Sequence, residues 1–218
     1  MTDQPMPPSS PTVFVVDDDA AIRKAVSRLL RSAGIAVAVF ESPTEFLAQL
    51  DPATPGCLVL DLAMPGFDGL RLQTTLRETG STLPIIFLTG QGDVSKSVQA
   101  MKGGAFDFLT KPVNAKNLLP AIRAAIERDA LVRQEQAKLS EICARLDTLT
   151  PRERELLEHV VAGKLNKQIA CDLGITEATV KMHRARVMAK MKVQSVAELT
   201  RLTERCGIRQ PDSLKSAA

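Results

Sequence analysis

The chain has 218 residues, 44% of them hydrophobic and 24% charged, a composition typical of a globular protein with one large domain or two ordinary ones. No apolar run approaches the roughly 18 residues of a membrane-spanning helix and the N-terminus lacks signal-peptide features, so we expect a cytoplasmic protein without membrane attachment. The net charge of +3 is uneven: residues 1–147 carry 15 basic and 17 acidic side chains and residues 148–218 carry 13 and 8, which favours nucleic acid as a partner of the C-terminal third.

The first half of the chain alternates short apolar runs with amphipathic stretches. This alternation is typical of an α/β fold with a doubly wound, five-stranded parallel sheet. Ligands of such sheets gather at the carboxyl ends of the strands. Asp17, Asp18 and Asp61 lie at the carboxyl ends of the first and third runs, so we expect them in one crevice. The runs predict strands near residues 12–17, 35–40, 57–62, 84–90 and 107–110.

A helical stretch follows the last predicted strand. Leu139, Ile142, Leu146 and Leu149 recur there at steps of three and four. This stripe predicts either a short coiled-coil seam or a helix that packs on its neighbour, and it is too short to decide between them. We interpret the stretch as a helical linker.

The remainder of the chain is predicted to be all helical. Two short helices are joined by a tight turn at Gly174 and Ile175, and Thr176 is placed to cap the second of them. The second helix is rich in Lys and Arg. Together these features indicate a helix-turn-helix.

The cysteines show neither C-x-x-C nor metal-ligand spacing. We therefore expect free thiols, without a disulfide framework or a zinc site. The four positions are Cys57, Cys143, Cys171 and Cys206.

The predicted crevice suits a phosphoryl group. Besides its three acids it receives Thr89 and Lys111, which end the fourth and fifth strands. Mg²⁺ prefers carboxylate and phosphate oxygens, and a lysine can neutralise a phosphoryl oxygen. An aspartate in such a site can act as the nucleophile and form an acyl phosphate.

The motifs VVDDD, DLAMPGFDG, FLTGQGD and GAFDFLTKP resemble the receiver domain of bacterial two-component response regulators. The C-terminal third resembles the LuxR-type helix-turn-helix domain of the FixJ and NarL group. The resemblance implies a sensor histidine kinase as phosphodonor, Mg²⁺ as cofactor, a homodimer after phosphorylation, promoter DNA as target and RNA polymerase as partner. We divide the chain into a disordered leader (1–10), a receiver (11–127), a helical linker (128–147), a helix-turn-helix domain (148–210) and a disordered tail (211–218).

The same resemblance assigns roles in the receiver. It implies that Asp61 accepts the phosphoryl group and that Ala63, which cannot orient a water molecule, permits only slow dephosphorylation. It also implies a cis bond between Lys111 and Pro112. The implied Mg²⁺ ligands are Asp17, Asp18, Asp61 and the carbonyl of Ala63; Thr89 and Lys111 contact the phosphoryl group; and Phe108 is the switch aromatic coupled to Thr89.

In the helix-turn-helix domain, helical periodicity places Val180, Val187 and Met191 towards the core. The opposite side of the same helix is expected to face the DNA groove. We expect the last helix to dimerise through Val196 and Leu199, and the receiver through its fourth and fifth helices. Predicted DNA contacts are Thr179, Lys181, Met182 and Ala185, with Lys167, Arg184, Arg186 and Lys190 as phosphate contacts.

Two other functions would account for part of the sequence. A phosphohydrolase of the haloacid dehalogenase type would use Asp17 and Asp19, but it would have Thr or Val at Ala21 and would leave Asp61 unexplained. A DNA-binding regulator that works without phosphorylation would carry the same residues. We favour a response regulator whose only chemistry is taking and slowly losing its own phosphoryl group, with Asp19 as a helix cap.

Overall fold

The computed structural model describes residues 10–64, 68–90 and 94–207. The chain divides into two compact units, residues 1–133 and 134–218. The predicted leader, apart from Ser10, and the predicted tail lie outside the described residues. Within the described ranges, no helix combines the length and apolar character that crossing a bilayer requires.

The first unit contains a five-stranded parallel sheet in the order β2-β1-β3-β4-β5, which confirms the predicted α/β class. Each strand except the last is followed by a helix that returns to the start of the next strand. The elements are β1 (Thr12–Val16), α1 (Ala20–Ser32), β2 (Ala36–Phe40), α2 (Pro43–Gln49), β3 (Gly56–Asp61), α3 (Gly69–Glu78), β4 (Ile85–Thr89), α4 (Val94–Lys102), β5 (Asp107–Thr110) and α5 (Ala115–Asp147).

Apolar side chains cover both faces of the sheet. In β1, Val13 and Val15 join the cluster that includes Leu30 of α1, whereas Phe14 joins the opposite cluster with Phe46 of α2. Successive strand residues point to opposite faces, so a sheet covered on both sides requires uninterrupted apolar strands. This is why the strands could be recognised as apolar runs.

The sheet register brings the functional strand ends together. Val16 pairs with Leu60, so the residues that follow β1 reach the same edge as Asp61. Gly69, at the start of α3, passes close beneath this edge, where a Cβ atom would lie 2.5 Å from the Asp61 carbonyl oxygen. A larger residue at this position would push α3 away from the site.

The second unit consists of the last part of α5 and four shorter helices. Ile142 and Leu146 of α5, and Leu149 after it, are buried in the same cluster as Leu156. Of the two interpretations of the leucine stripe, the structure therefore shows packing on neighbouring helices of this unit. The helices are α6 (Pro151–Val161), α7 (Asn166–Leu173), α8 (Glu177–Met191) and α9 (Val196–Arg205).

The turn between α7 and α8 follows the predicted chemistry. Gly174 ends α7 in the left-handed conformation, with φ of 63°, which glycine adopts without steric cost. The Thr176 side chain accepts a hydrogen bond from the Thr179 backbone N–H at 3.2 Å, which confirms the predicted cap.

Candidate functional site

Three carboxylates meet at the carboxyl edge of the sheet. Asp17, Asp18 and Asp61 each offer an oxygen, and these oxygens lie within 4.8 Å of one another. Asp17 and Asp61 are buried, whereas Asp18 is exposed. The structure thus unites acids that are 44 positions apart in the sequence.

Lys111 is the cation that faces this cluster. Its Nζ lies 2.8 Å from Oδ2 of Asp17 and 2.9 Å from Oδ1 of Asp61. Burial lowers the pKa of Lys111, but the hydrogen bonds to the two aspartates outweigh burial and raise it above the ordinary value of 10.5. The lysine therefore stays charged beside the acids.

Asp61 has an environment unlike that of a surface carboxylate. Burial raises its pKa above the ordinary value of 3.8. The hydrogen bond from Lys111 opposes this rise, and the negative charge of Asp17 adds to it. Asp61 is thus a desolvated carboxylate held by one cation, a state suited to nucleophilic attack.

Arg23 of α1 and Asp19, which directly precedes α1, lie next to the acidic pair Asp17 and Asp18. Arg23, which sequence reasoning missed, donates from Nη1 to the backbone carbonyls of Asp17 and Asp18 at 2.7 and 2.9 Å. Asp19 caps α1 by accepting from the Ala21 N–H at 2.7 Å. This confirms the predicted cap, and Asp19 is not among the three clustered carboxylates.

The remaining receiver residues lie at or near the same edge. Thr89 is buried at the end of β4, and its carbonyl accepts from the Lys111 N–H at 2.7 Å. The Lys111-Pro112 bond is cis, as predicted. Phe108 is 43% exposed on β5, beside Phe87 of β4. Phe108 thus lies outside the buried clusters on the two faces of the sheet.

The donor set fits a hard divalent cation. Three clustered carboxylates face one lysine, so negative charge is in excess, and each additional carboxylate raises the repulsion. Oxygen-only donors of this kind match Mg²⁺.

Helix α8 presents the predicted two faces. Val180, Val187 and Met191 are buried, which confirms the predicted core side. The opposite side carries predicted DNA contacts: Lys181, Met182, Ala185 and Arg186 are exposed, Thr179 is partly buried beside the Thr176 cap, and Lys167 is exposed on α7.

Two basic residues predicted to contact phosphate have partners within this unit. Lys190 donates from Nζ to Oε2 of Glu153 at 2.6 Å and to the Thr148 carbonyl at 2.9 Å. Arg184 is partly buried and donates to Oδ1 of Asn166 at 2.8 Å. For Lys190 the structure favours a packing role over DNA contact, because Glu153 is buried and would lose its cation.

One predicted dimer contact is corrected by the structure. Leu199 is 0% exposed and lies in the core cluster of its own unit. It cannot meet a second chain without opening that core. Val196 is partly buried against the same cluster, and its predicted role in dimerisation stays a prediction.

The fold and site define a class of protein, a signal-receiving α/β domain joined to a helix-turn-helix DNA-binding domain. Comparison with known families agrees. Residues 13–123 match the family "Response regulator receiver domain", and residues 147–203 match "Bacterial regulatory proteins, luxR family".

Individual relatives cover nearly the whole chain. Nodulation protein W of Bradyrhizobium diazoefficiens is 45% identical over 90% of this chain and 86% of its own length. Transcriptional regulatory protein FixJ of the same species is 41% identical over 90% and 96%. The solved structure of response regulator StyR is 43% identical with a TM-score of 0.81, covering 90% of this chain and 100% of that one.

The chain therefore belongs to the response regulator family, in the group with a LuxR-type DNA-binding domain. The relatives include transcriptional regulators. This membership sets aside the phosphohydrolase interpretation.

Proposed function

We propose that this chain is a cytoplasmic transcription factor switched by phosphorylation of Asp61. The observation that carries the proposal is the convergence of Asp61 with Asp17, Asp18 and Lys111 at one edge of the sheet. A sensor histidine kinase is the donor. A carboxylate oxygen of Asp61 attacks phosphorus, and the new O–P bond forms as the P–N bond to the kinase histidine breaks.

The residues around Asp61 have different roles in this transfer. Asp17, Asp18 and Asp61, with the carbonyl of Ala63, would hold Mg²⁺, which supplies positive charge to the phosphoryl oxygens. Lys111 exchanges its bond to Asp61 for one to a phosphoryl oxygen. The Ala63 side chain has no polar group to position a water molecule, so the acyl phosphate is lost slowly. Taking and losing this phosphoryl group is the only chemistry that we propose for the chain.

The signal leaves the site through Thr89 and Phe108. The Thr89 hydroxyl donates a hydrogen bond to the phosphoryl group. Phe108, exposed on the neighbouring strand, takes a new position in response. The receiver then dimerises through α4 and α5, the helices that precede and follow the edge strand β5 and pack on opposite faces of the sheet. A dimer presents two recognition helices to successive turns of the major groove.

The DNA-binding unit reads the promoter with α8. Lys181, Met182 and Ala185 would contact bases, and Arg186 and Lys167 phosphates, because all five are exposed. RNA polymerase is the proposed partner at the promoter. We retain the proposed domain limits of 11–127 and 148–210, joined by 128–147.

The test measures dimerisation and DNA affinity with and without acetyl phosphate and Mg²⁺. Full-length wild type, Asp61→Asn and the exposed-acid control Glu78→Gln are compared by sedimentation velocity and by anisotropy on a duplex selected from a random pool. We expect the phosphodonor to tighten DNA binding roughly 5- to 150-fold in wild type and Glu78→Gln, the usual range of coupling between sites, and not in Asp61→Asn. Equal affinity of wild type with and without phosphodonor would instead favour the regulator that works without phosphorylation.

A further inference from the structure

Two cysteines that are far apart in the sequence meet in the second unit. Sγ of Cys143, on α5, lies 2.9 Å from Sγ of Cys206, the residue directly after α9, although 63 positions separate them. Either sulfur can donate the hydrogen bond between them. Both are free thiols and partly buried, so small solutes can reach them while neighbouring groups hold them in place.

Contacts on both sides of the pair fix the two helices against each other. Ile142, adjacent to Cys143, is buried in the core cluster, and Cys206 packs against the same cluster. Further along, Nη2 of Arg205 lies 2.8 Å from Oε2 of Glu135. The approach of the two sulfurs is therefore a consequence of helix packing and does not depend on the thiols alone.

We propose that Cys143 and Cys206 form a redox-reactive dithiol, which hydrogen peroxide or a related peroxide converts into an intramolecular disulfide. In the first step the Cys143 thiol loses its proton and its sulfur attacks a peroxide oxygen; the O–O bond breaks, the departing hydroxide takes up that proton and leaves as water, and Cys143 becomes a sulfenic acid. In the second step the Cys206 sulfur attacks Cys143, the S–S bond forms, and the sulfenic oxygen leaves as water. Two thiols and one hydrogen peroxide thus give one disulfide and two water molecules.

The cysteines of this chain differ in their surroundings. Burial raises the pKa of Cys206 to about 11, and the neighbouring Cys143 adds to the rise, so we write Cys143 as the first thiol to react. Cys57 is fully buried, and burial raises its pKa to about 12, which makes it inert. Cys171 is exposed and serves as an internal reference for simple thiol oxidation.

The disulfide would tie the end of α9 to α5 and close a large loop around the helix-turn-helix. Cross-linking such a loop removes entropy from the unfolded chain. The oxidised unit should melt at least about 5 °C higher than the reduced one. In a reducing compartment the disulfide would be reduced again. Its presence would therefore indicate recent exposure to oxidant, and it would not stabilise the unit permanently. The chemistry requires neither Asp61 nor Mg²⁺.

The experiment treats the full-length chain with hydrogen peroxide, alkylates the remaining thiols and digests it without reductant. Trypsin separates the two cysteines into peptides 139–145 and 206–209. Wild type and Cys171→Ser should give a linked peptide pair about 2 Da lighter than the sum of the two reduced peptides, within single chains and reversibly with dithiothreitol. Cys143→Ser and Cys206→Ala should give no link and no rise in melting temperature on oxidation.

Two results would overturn the proposal. One is full oxidation of Cys171 in wild type while Cys143 and Cys206 remain separately alkylated. The other is a link that forms only between chains, recognised by its dependence on protein concentration. Neither readout needs the Cys143 or Cys206 variants, so a poorly folded variant at either position does not weaken the test.

Discussion

The ion pair between Glu153 and Lys190 allows a quantitative test of the second unit. Glu153 is 3% exposed at the start of α6, where its Oε2 accepts both from the Thr150 N–H at 2.9 Å and from Lys190 Nζ at 2.6 Å. We replace Glu153 by Gln. The amide oxygen can keep the capping hydrogen bond with Thr150, but it carries no charge for Lys190.

The expected cost follows from the pKa of Glu153. The hydrogen bond from Lys190 and that from the Thr150 backbone lower this pKa from 4.5 to about 2. At full value such a lowering would stabilise the folded state by about 3 kcal/mol at neutral pH. Lys190 is partly exposed, so solvent screens the pair, and Gln keeps the cap; we therefore expect Glu153→Gln to cost about 1 to 2 kcal/mol. Because the folded pKa lies below the unfolded one, the stabilisation is complete above pH 4.5 and is lost as the pH falls towards 2.

The assay is urea unfolding followed by far-ultraviolet circular dichroism, because the chain contains neither Trp nor Tyr. The free energy of unfolding is compared between wild type and Glu153→Gln from pH 7 to pH 3. The difference should fall to less than half its neutral value by pH 3. The control Glu155→Gln removes an exposed partner of Arg152 and should cost under about 0.5 kcal/mol at any pH.

A difference that does not change with pH would refute the charge-based reasoning and leave only a packing effect.

The same ion pair also tests whether Lys190 has a packing role instead of a phosphate contact. Lys190→Gln should lower stability and leave the salt dependence of DNA binding unchanged. If Lys190→Gln instead reduced the salt slope by about 1, Lys190 would be a phosphate contact as first predicted.

Three further predictions concern function. Lys181→Gln should reduce the salt slope of DNA binding by about 1, whereas Lys192→Gln, which changes an exposed lysine directly after α8, should not; equal slopes for wild type and Lys181→Gln in anisotropy titrations of the duplex would exclude Lys181 from the interface. Ala63→Asn should speed loss of the phosphoryl group at least about tenfold by supplying a group that orients water, as followed on phosphate-affinity gels; an unchanged rate would remove Ala63 from control of that lifetime. Asp18→Asn should weaken Mg²⁺ binding at least about tenfold in calorimetric titrations, whereas Asp19→Asn, which keeps the α1 cap, should not; the reverse order would place the metal elsewhere.

Local sequence patterns predicted most of the first unit. Buried parallel strands are continuous apolar runs, so β1 and β3 could be located, and Asp17 and Asp61 could be placed at their carboxyl ends. The caps at Asp19 and Thr176 were equally accessible, because a cap depends on two or three neighbouring residues. Helical periodicity was sufficient to divide α8 into a core side and an exposed side.

Contacts between distant elements were beyond these patterns. Leu199 was expected at a dimer surface, but a helical stripe of apolar residues does not tell whether it faces its own core or another chain. Arg23 looks like an ordinary surface residue of α1 until its bonds to the Asp17 and Asp18 carbonyls are seen. The spacing of Cys143 and Cys206 carried no signal of their contact.

By itself, the sequence determined the order of the strands and helices, the acids and lysine of the receiver, and the helix-turn-helix. These features depend on short-range periodicity and on which residues end each strand. Only the tertiary structure decided that Lys111 bridges Asp17 and Asp61, that Lys190 holds the buried Glu153, and that two thiols meet at the end of α9. Whether two distant side chains meet depends on how whole helices and sheets pack. The number of residues between them in the sequence does not predict this.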